Sequence, residues 1–251
     1  MPSIESNLKS FDHNNWVNDG ANWSEDWGYA EAQWWGCIWP RIFPFAHGDV
    51  LEIGYGRGRW TKFLMPVKES YVGVDISKSC KEYCENKWDW GQRGAFYYSD
   101  GKTLPMCLDH SIDFCFSFDS LVHCEWDVIS SYLTELKRVL KPGGVAFLHH
   151  SNVSTLFETD SIYKNQYRNG VTREAEFRGS GLTVGRIPVR LQVIQLEMSC
   201  LIQETVPWGK SSEEIDCLTT LVNKPGIDCQ VISNHLFMEE AATIKRISTY
   251  G

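Results

Sequence analysis

A chain of 251 residues with 43% hydrophobic residues is long enough to bury one sizeable core, and its formal net charge of −8 makes it acidic. An acidic surface is a poor match for a phosphate backbone, so nucleic acid is not expected as the main partner. No apolar run is long enough to cross a bilayer, and the opening MPSIESNLKSFDHNN lacks the basic start and apolar stretch of a secretory signal, so no membrane partner and no export are expected.

The nine cysteines include no C-x-x-C pair, and several sit in apolar contexts such as Phe114-Cys115-Phe116. They read as reduced core thiols, which places the protein in the cytoplasm. Residues 1–47 hold six tryptophans: Trp16, Trp23, Trp27, Trp34, Trp35 and Trp39. The run Ala30 to Trp39, with Glu25 and Asp26 ahead of it, predicts a helix with aromatic faces. It would serve as a cap packed on the core, and a second reading has it close over a ligand.

Asp49 to Asp75, DVLEIGYGRGRWTKFLMPVKESYVGVD, reads as strand, glycine turn, helix and strand. Val50 to Ile53 suits a buried parallel strand. Gly54, Gly56 and Gly58 follow, where a tight turn or a close ligand favours residues without a Cβ. Arg59 to Leu64 starts a helix, Tyr71 to Val74 is the second strand, and Asp75 at its carboxyl end suits the hydroxyls of a ribose. Glu52, two residues before the first glycine, would repel a pyrophosphate. A ligand with an amino-acid end and a positive charge would be accepted.

Downstream, a helix is predicted over Lys78 to Trp88 and a third strand over Ala95 to Tyr98, followed by Ser99-Asp100-Gly101. Asp113 to Phe118 is the fourth strand. Trp126 to Leu140 is an amphipathic helix with Ile129, Tyr132, Leu133, Leu136, Val139 and Leu140 on one side. Lys141-Pro142-Gly143-Gly144 stops it, and Val145 to His149 is the fifth strand. Residues 151–188 read as a loop or lid, Val189 to Met198 as a helix, Leu201 to Val206 and Cys217 to Val222 as strands, and Phe237 to Ile247 as a closing helix. The alternation predicts an α/β fold with a parallel sheet and helices on both faces. One domain is expected: a cap over 1–47, a core over 48–150, a lid and substrate region over 151–200, and closing elements over 201–251.

Taken in order, LEIGYGRG, VGVDIS, YSDGKTLP, DFCFSFDSLVH and LKPGG resemble the class I S-adenosylmethionine (SAM) dependent methyltransferases across residues 48–150. The pieces EAQWWGCIWPRI, FSFDSLVHCE and FLHHSN are similar to a bacterial subgroup often suspected of modifying sugars or other small polar metabolites. The resemblance implies a Rossmann-like, seven-stranded, mostly parallel sheet, SAM as cofactor, and methylation of a small polar molecule at oxygen. N-methylation and a SAM-binding module without activity stand as alternatives. It further implies that the backbone around Gly54, Tyr55, Gly56 and Gly58 holds the methionine carboxylate, while Glu52 orients the turn or attracts the ammonium group. Asp75 would bind ribose and Ile76 pack on adenine. Asp100 and Gly101 would flank the adenine edge. Phe118, Asp119 and Ser120 would floor the site near the sulfonium. Arg59 and Trp60 read as structural.

The carboxyl ends of strands four and five face the transferred methyl in that fold, and three histidines gather there: His123, His149 and His150. A histidine can take a proton from a substrate hydroxyl near neutral pH. Alternation sends His149 and His150 to opposite faces. His150 is the favoured base and His123 the second candidate; each also reads as a satisfied, partly buried residue. Asp119, His123 and His150 form an alternative ligand set. Related metal-dependent O-methyltransferases carry two acids and a histidine there, and Val122 stands where the second acid would fall, so no metal is expected. Tyr163, Tyr167, Arg168, Arg173, Arg178 and Arg186 suit a polar or anionic substrate in the lid, or a solvated loop. Glu204 and Trp208, in LIQETVPW, read as another wall of the pocket.

Overall fold

The structure is a computed structural model that describes residues 3–11, 16, 18–88, 91–155, 184–209 and 213–249. Five strands run parallel: β1 (Gly48–Ile53), β2 (Lys68–Asp75), β3 (Gly94–Tyr98), β4 (Ile112–Ser117) and β5 (Leu140–Ser151). β7 (Asp216–Val222) lies antiparallel between β5 and β6 (Ser199–Val206), and β8 (Gln230–Ser233) adds parallel to β6. The sheet order is β3-β2-β1-β4-β5-β7-β6-β8. The order reverses between β1 and β4, which opens a crevice at their carboxyl ends.

The expected seven strands are present and an eighth joins them. β8 has only four residues, mostly exposed, so it carries no apolar alternation for the sequence to show. The LKPGG stretch also differs from expectation. Helix α6 (Trp126–Val139) does end before it, but residues 140–144 are already part of β5, with Leu140 paired to Ile112 and Gly143 at φ 82°.

Each face of the sheet is covered. On one side, Leu51, Ile53, Cys115, Ala146 and Leu148 meet the apolar faces of α6 and α7 (Arg186–Gln195). On the other, Val50, Phe114, Phe116, Phe147 and Leu218 meet the tryptophan-rich N-terminal segment, α4 (Thr61–Leu64), α5 (Lys78–Lys87) and α8 (Phe237–Thr249). α4 is a single turn because Pro66 cannot continue it. A separate helix, α1 (Ile4–Phe11), sends Ile4 against the first of these faces. Among the described residues no helix is long and apolar enough to cross a membrane.

The cap helix predicted over 30–39 is longer and irregular. α2 (Tyr29–Gln33) and α3 (Trp39–Ile42) are joined by a π turn over Trp34–Ile38, closed by Trp39 N–H donating to the Trp34 carbonyl. Pro40 explains the widening: it lacks an N–H, and its ring would strike the carbonyl four residues back in a regular α-helix. Gly36 lets this helix touch α8, since a Cβ there would stand 2.7 Å from the Glu240 carbonyl oxygen.

Arg41 of α3 locks the cap to the C-terminal elements. It bonds both oxygens of Glu204 (2.7 and 2.5 Å) and both of Glu240 (2.7 and 3.0 Å), and Asn234 Nδ2 donates to each acid. Glu204 is therefore spent on the cap, which corrects its expected place in a substrate wall. Arg41→Met should lower stability by about 1–2 kcal/mol, below the cost of breaking a fully buried pair because Glu240 is 29% exposed. Denaturant titration measures this, and a change under a few tenths would contradict the lock.

Candidate cofactor and active site

The crevice begins where β1 ends. Gly54, Gly56 and Gly58 all take positive φ, at 76°, 56° and 87°. Gly54 N–H donates to the Val74 carbonyl (2.8 Å), tying the loop to β2, and Gly56 N–H donates to Asp75 Oδ2 (2.8 Å). Asp75 Oδ1 accepts from Ser77 N–H at the same distance, so this carboxylate fixes both the loop and the start of α5. A Cβ on Gly54 would overlap Ser120, and one on Gly56 would stand 2.8 Å from the Trp16 ring. Tyr55 turns its side chain into the core against Phe96, leaving only its backbone to the crevice.

Glu52 lies beneath the loop, fully buried. Its Oε2 accepts from Thr61 Oγ1 (2.7 Å) and Tyr71 Oη (2.6 Å), while Oε1 is buried without a partner. Burial pushes this carboxyl up to about 7 from its usual 4.5. The folded state thus holds the Glu52 proton more tightly than the unfolded chain. This group's contribution to stability should fall as pH rises from about 4.5 to about 7 and level off above. Glu52→Gln should flatten that part of the stability–pH curve, as read by thermal unfolding across pH; an unaltered slope would contradict it.

At the adenine end, Ile76 and Gly101 are neighbours, with a Gly101 Cβ site 2.9 Å from Ile76 Cγ2 and 3.2 Å from Ile4 Cδ1. α1 covers this corner, and its Asn7 Nδ2 donates to the His123 carbonyl (2.8 Å), so it runs from the end of β3 to the turn after β4. Asp100 is exposed and spends its oxygens on Lys102 N–H, Thr103 N–H and the Thr103 hydroxyl. It shapes the turn that presents Gly101.

The turn after β4 is the most constrained part of the site. Asp119 sits at φ 61°, a left-handed conformation that few residues other than glycine adopt. Arg59 holds its carboxylate at 2.7 Å. Its N–H donates to His149 Nδ1 at 3.2 Å, so that nitrogen carries no proton; the proton sits on Nε2, which donates to Asp216 Oδ2 at 3.1 Å. The His149 ring is fully buried between Phe118 and Trp208, at 4.6 and 4.7 Å between centroids. Ser120 backs Gly54.

His150 projects to the opposite face. Its Nδ1 donates to the Ser151 carbonyl and its Nε2 accepts from the Thr219 hydroxyl, both at 2.8 Å, and burial pushes the ring down to about 4. A ring enclosed and bonded at both nitrogens cannot reach an acceptor, which corrects its expected role as base. The strand alternation was right; the face turned to the crevice belongs to His149. His123 stands half-buried in the turn after β4. The alternative ligand set is not assembled, since Asp119 is paired with Arg59 and His150 lies across the sheet, and among the described residues no group of three or more metal-ligating side chains is found. Trp208 does join the site, 5.9 Å from Phe118 and 4.6 Å from Trp27. Tyr163, Tyr167, Arg168, Arg173 and Arg178 lie outside the described residues, while Arg186, expected in the lid, opens α7.

The sequence reading named His149 in the histidine cluster but favoured His150, and it missed Asp216 and the Arg59–Asp119 pair. Strand alternation separated the two histidines without saying which of them faces the crevice; Arg59 and Asp119 are 60 positions apart, with no local pattern to link them.

These residues fit SAM. The glycine cradle has no Cβ to obstruct a ligand, an acid ends β2, and Ile76 offers an apolar surface beside it. Residues 50–144 match a family described as methyltransferase domain. The chain is 29% identical over 153 residues to the biotin biosynthesis bifunctional protein BioHC of Cellvibrio japonicus, a match covering 61% of this chain and 28% of that protein. It is 28% identical over 126 residues to the malonyl-[acyl-carrier protein] O-methyltransferase of Buchnera aphidicola, covering 49% and 48%. The chain thus spans less than half the length of these curated relatives. Among solved structures, the DhpI–SAH complex superposes with a TM-score of 0.57 at 17% identity over 90% of this chain and 98% of that one. The fold is that of the class I methyltransferases.

Proposed function

We propose, for a chain with the class I methyltransferase fold and a methyltransferase domain over residues 50–144, that it transfers a methyl group from SAM to the oxygen of a small polar molecule. The observation that carries this reading is Asp75 gripping the glycine loop at the reversal of strand order. Bound SAM would supply an activated methyl on a sulfonium, so the protein's task is alignment and the exclusion of water. Asp75 and Ile76 would hold the nucleoside end and the loop the amino-acid end. Phe118, Asp119 and Ser120 would form the floor on which the acceptor meets the methyl. The Buchnera relative is named for O-methylation, which supports oxygen over nitrogen.

In this reading His149 keeps the Asp119 turn in place through its unprotonated Nδ1. His149→Asn retains an acceptor at the Nδ1 position and should keep transfer within a few-fold. His149→Phe retains the stacking but leaves the Asp119 N–H unpaired, and should lower kcat by about tenfold relative to His149→Asn at little change in SAM affinity, since both variants lose the Asp216 contact alike. Equal activities for the two variants would remove the positioning role. The function itself is tested by incubating the protein with SAM and a metabolite extract. One compound should gain the mass of one methyl as S-adenosylhomocysteine (SAH) accumulates; SAH binding with no methylated product in any extract would favour a module without activity.

A further inference from the structure

Gln33 Nε2 and Trp60 Nε1 are buried side-chain donors without a partner among the described residues. Both side chains are almost fully enclosed, at 1% and 3% exposure. An unpaired buried donor costs about 1–3 kcal/mol, so two of them on one side of one site require an explanation.

Both residues neighbour Arg59, Gln33 through the Ser24 hydroxyl and Trp60 through its ring. The Ser24 hydroxyl accepts from Arg59 Nη1 (3.3 Å) and donates to Gln33 Oε1 (2.8 Å), which fixes the amide orientation: a reversed amide would leave the Ser24 proton unused. The Arg59 guanidinium lies 4.5 Å over the Trp60 ring. A guanidinium has five N–H groups, and among the described residues protein bonds account for two of these, to Ser24 and Asp119. Arg59, Gln33 and Trp60 thus gather several unused donors beside the Asp119 turn. Two acids are near. Asp119 is already paired with Arg59, and Glu52, bonded to Thr61 and Tyr71, has its charge suppressed by burial.

A set made of donors calls for a ligand made of acceptors. A water or sugar hydroxyl here would have to pass its proton to Asp119, already held by Arg59, or to the unpartnered Glu52 Oε1, whereas a carboxylate or phosphate brings oxygens alone to the unused donors. We infer that Arg59, Gln33 and Trp60 form a subsite for an anionic group, carboxylate or phosphate, of the methyl acceptor. The anion bridges Arg59, Gln33 Nε2 and Trp60 Nε1, and so fixes the acceptor against the turn where transfer would occur. This rests on the methyltransferase reading and adds to it the chemical class of the acceptor. It also makes the N-terminal cap, through Gln33, a determinant of specificity.

The test uses inorganic phosphate and, separately, acetate as probes on the full chain saturated with SAH, followed by NMR of the indole N–H groups, with Trp60→Phe identifying the Trp60 signal. A saturable shift of that signal is expected, lost in Arg59→Met. Gln33→Leu removes the unpaired amide N–H but also the acceptor of the Ser24 hydroxyl, so its folding is checked by thermal unfolding; it should weaken the probe by about tenfold, the loss of one charge-assisted hydrogen bond. SAH affinity in Gln33→Leu should stay within about threefold of the intact protein, less than 1 kcal/mol. A response to phosphate alone or to acetate alone tells a phosphorylated acceptor from a carboxylated one. A Trp60 signal unmoved by either anion, or moved equally in Arg59→Met, would overturn the subsite. So would a tenfold loss of SAH affinity in Gln33→Leu, which would assign the cluster to the cofactor. Failure of the intact protein to bind SAH, with the anion response still present, would instead sink the methyltransferase reading.

Discussion

Gly54→Ala should lower stability by about 2–5 kcal/mol and abolish cofactor binding. Alanine at a left-handed φ of 76° costs about 1–2 kcal/mol by itself. The added methyl also overlaps Ser120, and because the Ser120 Cβ stands only 2.5 Å away, rotating the hydroxyl does not relieve it. The turn after β4 must move, at a further cost of about 1–3 kcal/mol for overpacking. That turn carries Asp119, which Arg59 and His149 hold, so strain at the glycine loop passes into the methyl-transfer site. Thermal unfolding should show a midpoint lowered by roughly 10 °C. Adding Ser120→Gly removes the overlap but not the backbone strain, so the double variant should recover part of the loss. A Gly54→Ala protein that melts and binds SAH like the intact one would mean that the loop and the turn do not touch.

Asp75→Ala should weaken SAH by about 100-fold or more. A charged acceptor for ribose hydroxyls is worth about 1.5–3 kcal/mol, which accounts for most of that factor. Asp75 also accepts the Gly56 and Ser77 N–H groups, so its loss loosens the cradle along with the ribose contact. Asp75→Asn separates the two effects. Its amide oxygen can still cap one N–H, and it should bind SAH with an affinity between the intact protein and the alanine variant. If Asp75→Ala binds within threefold of the intact protein, ribose is held elsewhere.

The core of the fold was legible because its signals are local. Val50 to Ile53, the three glycines and Asp75 fall within one strand–turn–helix–strand unit, and each follows from what a buried strand, a tight turn and a strand end require. β1, β3, β4 and α6 were found within one or two residues for the same reason, whereas β2 starts three residues and β5 five residues before the expected positions. What was misread depends on distant partners. Glu204 looks like a pocket acid until Arg41, 163 positions earlier in the chain, takes both its oxygens. His149 and His150 are indistinguishable along β5. Which one meets the crevice is decided by β7, whose antiparallel pairing sets Thr219 beside the ring of His150 and Asp216 beside that of His149. The π turn follows from Pro40 in its helix, a local cause that the aromatic spacing obscured. Gln33 and Trp60 gave no such signal, since a glutamine in a tryptophan-rich cap and a tryptophan opening α4 read as packing.

Titration calorimetry of SAH into the intact protein, with NAD as the comparison ligand, tests the central claim most directly. The cradle of Gly54, Gly56 and Gly58, with Asp75 at its edge and the Glu52 carboxyl beneath, should give saturable one-to-one binding of SAH in the micromolar range and no measurable heat with NAD, whose pyrophosphate has no counter-charge in the loop. Binding of NAD in preference to SAH, or no binding of SAH at millimolar concentration, would contradict it.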